Sequence, residues 1–123
     1  LKQLLAVQDD PHAPVNVRWN GWCADWPSGS SWFPHLIASH GDANDAYFAE
    51  PSVDTAIQRI AALLLEKQAS AWGSLDRQIM TTYYPGFPLY YFGVQMPHGA
   101  DIGGMNDDLV FGMPTWKDLY IRR

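Results

Sequence analysis

The sequence predicts an α/β fold, and three stretches of the chain support that prediction. Residues 53–64 and 72–79 carry apolar side chains at helical spacing, whereas residues 87–94 are aromatic and favour a β-strand. The chain has 123 residues, which is about the size of one ordinary domain. We therefore expect helices packed beside a sheet, because each element must bury its apolar face against another.

The N-terminal residues predict the end of a helix followed by a strand. Leucines within residues 1–7 have helical spacing, and the Asp-Asp-Pro sequence at residues 9–11 then stops the helix. Val15 and Val17 alternate with polar residues, which is typical of a half-buried strand. This strand leads the chain to Gly21.

Two loop segments precede the central helices. Residues 26–34 combine turn-forming and aromatic residues, so we expect a shaped loop with one short helical turn. Residues 40–50 are polar and rich in Gly, Asp and Asn, which predicts a surface connection.

A pair of helices follows these loops. Ser52 is a good N-cap residue for the first helix, and an apolar face begins directly after it. That face consists of Val53, Ile57, Ile60, Ala61 and Leu64. In the second helix, Trp72, Leu75 and Ile79 share one side, and the pattern ends at residues 83–85.

The C-terminal third predicts less regular structure. Residues 87–94 form the expected strand, and Pro88 lies near its start, where a missing N–H does least harm. Residues 97–118 are rich in Gly, Pro, Asp and Asn and predict an irregular excursion. Residues 119–121 predict a last short strand.

Charge and hydropathy argue against nucleic-acid binding and against a membrane span. The formal net charge is -5 with eight Lys and Arg residues and no basic stripe, so we expect no nucleic-acid partner. The longest apolar run, residues 60–65, is far shorter than the roughly 20 residues that span a bilayer.

The first residues lack the features of a signal peptide, so we expect that an upstream segment has been removed.

Residues 21–26 read Gly-Trp-Cys-Ala-Asp-Trp and form the most informative stretch of the chain. Asp25 can offer charge-assisted hydrogen bonds to an ammonium group. Trp22 and Trp26 can add cation–π attraction and exclude water. The alternative is that both indoles pack in a core while the carboxylate caps a turn.

Four segments, in order, resemble one protein family. Residues 21–26 resemble its G-W-x-A-D-aromatic signature, and residues 47–54 resemble a Y-x-N/S-P-x-V/F-D segment that precedes paired helices. Residues 87–92 resemble its I-P-L/V-Y-Y-aromatic strand, and residues 102–104 resemble its V/I-G-G turn. The chain thereby resembles the C-terminal portion of the family 5 extracellular solute-binding proteins, which capture oligopeptides and dipeptides for ABC importers.

The resemblance implies a fold and a role. The fold would be the C-terminal part of a two-lobed periplasmic-binding-protein-like fold of type II, with a mixed sheet and flanking helices. Residues 1–92 would belong to the C-terminal ligand-binding lobe, and residues 93–123 would cross back to the N-terminal lobe. The protein would be extracytoplasmic, periplasmic or lipid-anchored at the cell surface, and not an enzyme. It would need no cofactor, and its partners would be a peptide or other small polar ligand, the remaining N-terminal part of the same protein, and the ABC permease.

The resemblance also implies site residues. In that family the position of Asp25 receives the α-ammonium of a peptide, and the position of Trp22 lines the ligand cleft. Tyr90 and Phe92 share one face of the predicted strand by its period of two, Leu89 and Tyr91 share the other, and one of these faces must look into the cleft. Relatives commonly carry a Tyr at the position of Phe92, so no hydrogen bond is carried over to it. The Ser-rich loop after the aspartate also departs from the family, and a Trp-rich cleft would suit sugars as well as peptides.

Cys23 is the single cysteine and leaves two interpretations open. It is either a free thiol or half of a disulfide whose partner lies outside these residues. The number of cysteines alone favours a free thiol that is buried. Some relatives carry a bridged cysteine at this position. We therefore include Cys23 among the ligand-site residues.

Three rival functions give these or nearby residues different roles. An enzyme would use Cys23 as a nucleophile with His35 or His40 as a base and Asp25 or Asp42 as its orienting group. A metal site would use His35, His40 and Asp42, whose side chains suit Zn or Ni. A stand-alone carbohydrate- or peptide-binding module would fit the chain length and the tryptophans.

Overall fold

The computed structural model describes residues 2–90, 93, 95–108 and 110–123. The described residues form an α/β structure with four α-helices and two small antiparallel sheets. The helices are α1 Lys2–Gln8, α2 Phe33–Leu36, α3 Pro51–Ala61 and α4 Leu65–Thr82, with 3-10 turns at Gly29–Ser31 and Trp116–Asp118. The strands are β1 Ile102–Gly103, β2 Asp107–Asp108, β3 Met113–Pro114 and β4 Tyr120–Ile121.

The chain divides into two compact units. The first unit contains the described residues of 1–22 and 28–87, and the second contains those of 23–27 and 88–123. The second unit therefore combines a five-residue segment with the C-terminal part of the chain. This combination was not predicted from the sequence.

The first unit is built on the predicted helix pair. Both helices are amphipathic and place their apolar faces against each other, so the predicted periodicity is confirmed for most of its positions. Ala61 and Leu64, which were predicted on the same face, are exposed because α3 ends at Ala61. The buried cluster consists of Val53, Ile57, Ile60, Trp72, Leu75 and Ile79. The ring of Phe33 stacks on Trp72 with centroids 5.1 Å apart, which fastens the predicted short helical turn to α4.

The start of α3 differs from the prediction by two residues. Glu50, rather than Ser52, is the N-cap, and its carboxylate accepts a hydrogen bond from the Ser52 backbone N–H. Pro51 occupies the first turn, where its missing N–H costs nothing. The prediction was wrong because a carboxylate before proline can cap a helix as well as a serine hydroxyl can.

The predicted strand at residues 15–17 is wrong. No strand is formed there, and residues just after it bond to loop backbone through their side chains. The Asn20 side-chain amide donates to the Ala43 carbonyl at 2.6 Å. An alternating pattern becomes a strand only when a second strand pairs with it, and none of the described residues supplies one.

Polar contacts tie the end of α1 to the loop before α3. The Gln8 side-chain amide donates to the Trp19 carbonyl at 2.6 Å, and the Tyr47 hydroxyl donates to the Gln8 carbonyl at 2.9 Å. The Arg18 guanidinium lies 4.9 Å from the centroid of the Tyr47 ring. Tyr47 has a φ of 51°, a left-handed conformation that these contacts hold in place.

The second unit contains both sheets. β1 pairs with β4 and β2 pairs with β3, so the predicted strand at residues 119–121 is confirmed. The predicted irregular excursion over residues 97–118 is only partly correct, because three short strands lie within it. Described residues 87–90 form no strand, and the rest of the predicted strand at 91, 92 and 94 lies outside the described residues. Within the described part of the chain, no helix is long and apolar enough to cross a membrane.

Candidate ligand-binding site

Trp22 is half-buried in the first unit and is held by two contacts. Its indole N–H donates to the Ser31 carbonyl at 2.7 Å. Its ring stacks on the imidazole of His35, with centroids 4.9 Å apart and planes 24° from parallel. The polar atom of the indole is therefore used within the fold, and one ring face is covered by histidine.

The same histidine makes an ion pair with Asp42. His35 Nδ1 lies 2.7 Å from Asp42 Oδ1 at the surface of the first unit. The hydrogen bond from His35 is the main reason that the pKa of Asp42 lies below its ordinary value. The three side chains of Trp22, His35 and Asp42 thus form a connected group that the sequence did not predict as a unit.

A second carboxylate in the first unit is held by a serine. Asp54 Oδ1 accepts from the Ser39 backbone N–H at 2.9 Å, and Asp54 Oδ2 accepts from the Ser39 hydroxyl at 2.6 Å. The side-chain bond and then the backbone bond from Ser39 lower the pKa of Asp54. Asp54 lies in the first turn of α3, where the helix dipole also favours a negative charge.

Four of the predicted site residues lie in the second unit. Cys23, Asp25 and Trp26 come from its short segment, and Tyr90 comes from its C-terminal part. All four side chains are exposed, whereas the intervening Ala24 is buried. The structure therefore places Asp25 and Tyr90 in one unit although they are far apart in sequence. Phe92 lies outside the described residues.

The thiol of Cys23 is free and exposed, so the expectation of a buried thiol is wrong. Burial alternates along this segment: the small methyl group of Ala24 is buried, and the side chains of Cys23 and Asp25 on either side of it are exposed. The interpretation as half of a disulfide with a cysteine outside these residues stays a prediction.

The three residues of the rival metal site are not brought together in the described structure. His35 and Asp42 are in contact, but no group of three His, Cys, Asp or Glu side chains is placed to hold a metal ion among the residues that the structure describes. His40 contributes instead a Coulombic attraction that helps lower the pKa of Asp54. The two histidines thus serve different carboxylates.

An apolar cavity of about 360 Å³ opens between α2 and α4 in the first unit. Asp76 is the one charged residue in its described lining. The other lining residues are Trp32, Phe33, Leu36, Ile37, Trp72, Gly73, Ile79 and Met80. The indole N–H of Trp72 is buried and has no hydrogen-bond partner among the described atoms. This cavity can take an apolar group, and apart from the aromatic loop no pattern in the sequence predicts it.

The second unit exposes most of its large apolar side chains. The buried hydrophobic cluster found among the described residues lies entirely in the first unit. In the second unit the exposed apolar side chains are Trp26, Leu89, Tyr90, Phe111, Met113, Trp116, Tyr120 and Ile121.

Sequence reasoning missed the buried side chain of Asn44, which holds together the loop before α3. The Asn44 side-chain amide donates to the carbonyls of Ala38 and Phe48, and its oxygen accepts from the Phe48 N–H. Composition alone suggested a surface connection for this stretch. The available signal was Asn itself, since it is the side chain that can both donate to and accept from loop backbone.

Comparison with known proteins gives no identification. No family model, no curated protein and no solved structure matches this chain.

Proposed function

We propose that this chain is part of the substrate-binding component of an ABC importer, which captures peptides or similar polar solutes outside the cytoplasmic membrane. Binding itself is the function, so no bond is made or broken. The ligand stabilises a closed arrangement of two lobes, and the permease recognises that state. The proposal includes a longer polypeptide whose N-terminal part supplies the other side of the cleft and the strands that complete a mixed sheet.

The observation that carries the proposal is the composition of the second unit. A segment containing Asp25 and Trp26 joins the C-terminal part containing Tyr90 in one compact body. The resemblance gives Asp25 a ligand contact, and Trp26 and Tyr90 are predicted site residues from separate parts of the sequence. A carboxylate beside exposed aromatic rings suits the ammonium end of a peptide.

The exposed apolar side chains of this unit support the same proposal. In the described part of this small unit, eight large apolar residues are exposed and none belongs to the buried hydrophobic cluster, so a covering partner would bury apolar surface. In the proposal that partner is the N-terminal lobe, to which residues 93–123 return. The helix pair α3 and α4, which begins within residues 47–54, is also consistent with the proposal, since the resembling family segment opens a paired-helix region.

A binding experiment with the full-length polypeptide tests the proposal. We expect Asp25→Asn to weaken the binding of a short peptide with a free N-terminus by about 1.5 to 3 kcal/mol, which is roughly tenfold to a hundredfold. Asp101→Asn is the matched control, because Asp101 is exposed in the same unit and carries no proposed ligand contact. Equal affinity of the Asp25→Asn variant and the unchanged protein would contradict the proposal.

The alternative of a stand-alone binding module is tested with the 123-residue chain alone. A module should bind its carbohydrate or peptide with undiminished affinity. Our proposal predicts that the isolated chain binds the peptide far more weakly than the full-length polypeptide, since it holds only part of the cleft.

A further inference from the structure

A surface cavity of the second unit gathers two thioethers and an imidazole. Met96, His98 and Met105 line this cavity of about 620 Å³. The remaining lining residues are Gln95, Pro97 and Asp107. None of these residues takes part in the proposed peptide site, so the cavity needs a separate explanation.

The backbone directs two of the three side chains to one side. Residues 95–99 form neither helix nor turn, and Pro97 restricts the preceding residue to extended conformations. In extended backbone, residues two apart face the same way. Met96 and His98 therefore share one side of the segment, and Met105 reaches the same cavity from the turn after β1.

Hydrogen bonding selects the tautomer of His98. Its Nδ1 lies 3.1 Å from the carbonyl oxygen of Gly99. Because a carbonyl oxygen can only accept, Nδ1 carries the proton of the neutral ring, and Nε2 keeps its lone pair. A histidine that donates one ring N–H to a backbone carbonyl and offers the other nitrogen is the usual arrangement of a metal-binding imidazole.

We propose that Met96, His98 and Met105 bind one copper(I) ion. Thioether sulfur is a soft ligand that selects copper(I), and imidazole also suits copper. The Asp107 carboxylate, which lines the same cavity, offsets the charge of the ion. Harder ions such as zinc are disfavoured, because the described residues contain no group of three His, Cys, Asp or Glu side chains placed to hold them.

The three ligands are unequal in exposure. Met96 and Met105 are half-buried, whereas His98 is exposed. The thioethers would thus form the inner side of the site and the imidazole its outer side. This arrangement lets an ion enter from solvent without opening the fold. The inference is independent of the peptide-binding proposal, and either can fail without the other.

The experiment uses copper(I) itself as the probe, kept reduced by ascorbate under anaerobic conditions. Cys23→Ser is the parent protein, because an exposed thiol would otherwise compete for the ion. A chromophoric copper(I) chelator reports the affinity by competition. We expect one ion per chain, and we expect Met96→Leu, Met105→Leu and His98→Gln each to weaken binding at least tenfold.

Met113→Leu is the matched control. Met113 is an exposed thioether of the same unit but does not line the cavity, so its loss should change the affinity less than twofold. A second measurement leaves Met96, His98 and Met105 unchanged, so its result does not depend on whether the variants fold. On addition of silver(I), the methyl resonances of Met96 and Met105 should shift, and that of Met113 should not.

Two results would overturn the copper site. One is the absence of stoichiometric copper(I) binding by the Cys23→Ser protein. The other is binding that Met96→Leu, Met105→Leu and His98→Gln weaken no more than Met113→Leu does.

Discussion

The imidazole of His35 lies against the indole of Trp22, with ring centroids 4.9 Å apart. The same imidazole pairs with Asp42, and the indole N–H is held by the Ser31 carbonyl. The aromatic loop, the short helix α2 and the loop after it thus hold Trp22, itself a predicted ligand-site residue, within the first unit. Four predictions about the first unit and one about the ligand follow from contacts of this kind.

His35→Phe should raise the pKa of Asp42 toward its ordinary value of 3.8. Phenylalanine can keep the stack on Trp22 but cannot donate the hydrogen bond that chiefly lowers this pKa. A carbon-detected NMR titration of the carboxyl groups measures the change. His40→Phe is the control and should leave the pKa of Asp42 where it is.

The sign of the stability effect follows from the lowered pKa of Asp42. The contribution of this carboxylate is present above its unfolded pKa of about 3.9 and is lost as the pH falls through the lower folded pKa. Because Asp42 is exposed, solvent screens the pair and the effect on unfolding is small. A large loss of stability at neutral pH in His35→Phe would contradict this account.

Ser39→Ala should destabilise the fold by about 0.5 to 1.5 kcal/mol, since the hydroxyl bond to half-buried Asp54 is lost. The difference from the unchanged protein should be present above about pH 4 and shrink as the pH falls through the folded pKa of Asp54, which lies below 3.8. Urea unfolding at several pH values measures it. Ser70→Ala, an exposed helix position, should cause no loss.

Asn44→Ala should cost about 1 to 3 kcal/mol, because two carbonyls and one N–H lose their buried partner. Asn44→Asp keeps the acceptor for the Phe48 N–H but turns a carboxylate toward two carbonyls. Its cost should therefore be larger at pH 7 than at pH 3, where the acid can donate a proton. Equal costs for Asn44→Asp at both pH values would contradict this view of the loop.

Two glycine-to-alanine changes should have opposite signs. A Cβ at Gly29 would lie 2.5 Å from Cγ of Trp72, so Gly29→Ala must displace the core indole and should cost about 1 to 3 kcal/mol. A Cβ at Gly73 meets nothing within 4 Å, and Gly73→Ala should stabilise α4 by about 0.5 to 1 kcal/mol. Thermal unfolding compares them, and destabilisation by Gly73→Ala would contradict the described packing of α4.

The helices could be predicted because their determinants are local. Val53, Ile57 and Ile60 face Trp72, Leu75 and Ile79 as their spacing requires, and the pattern needs no knowledge of distant residues. Strands are different, since Val15 and Val17 alternate as a strand does but find no pairing partner among the described residues. The pairs β1–β4 and β2–β3 lie in a Gly-rich stretch and depend on its turns. Each of these strands is two residues long, which is too short for an alternation of apolar and polar residues to be recognised.

The candidate site shows the same limit. The sequence singled out Asp25 and its neighbouring rings, but it could not show that the chain changes compact unit after Trp22. Nor could it show that Cys23 is exposed, because burial of Ala24 depends on which side of the segment faces the rest of its unit. Pairing of His35 with Asp42 likewise depends on a loop closure that no spacing rule encodes.

Calorimetric titration of the full-length polypeptide with a tripeptide and with its N-acetylated form tests whether Asp25 receives the ligand ammonium group. We expect the free amine to bind at least tenfold more tightly than the acetylated form, and Asp25→Asn to remove most of this difference. An equal preference for the free amine in both proteins, or no preference in either, would show that the carboxylate of Asp25 does not receive a ligand ammonium group.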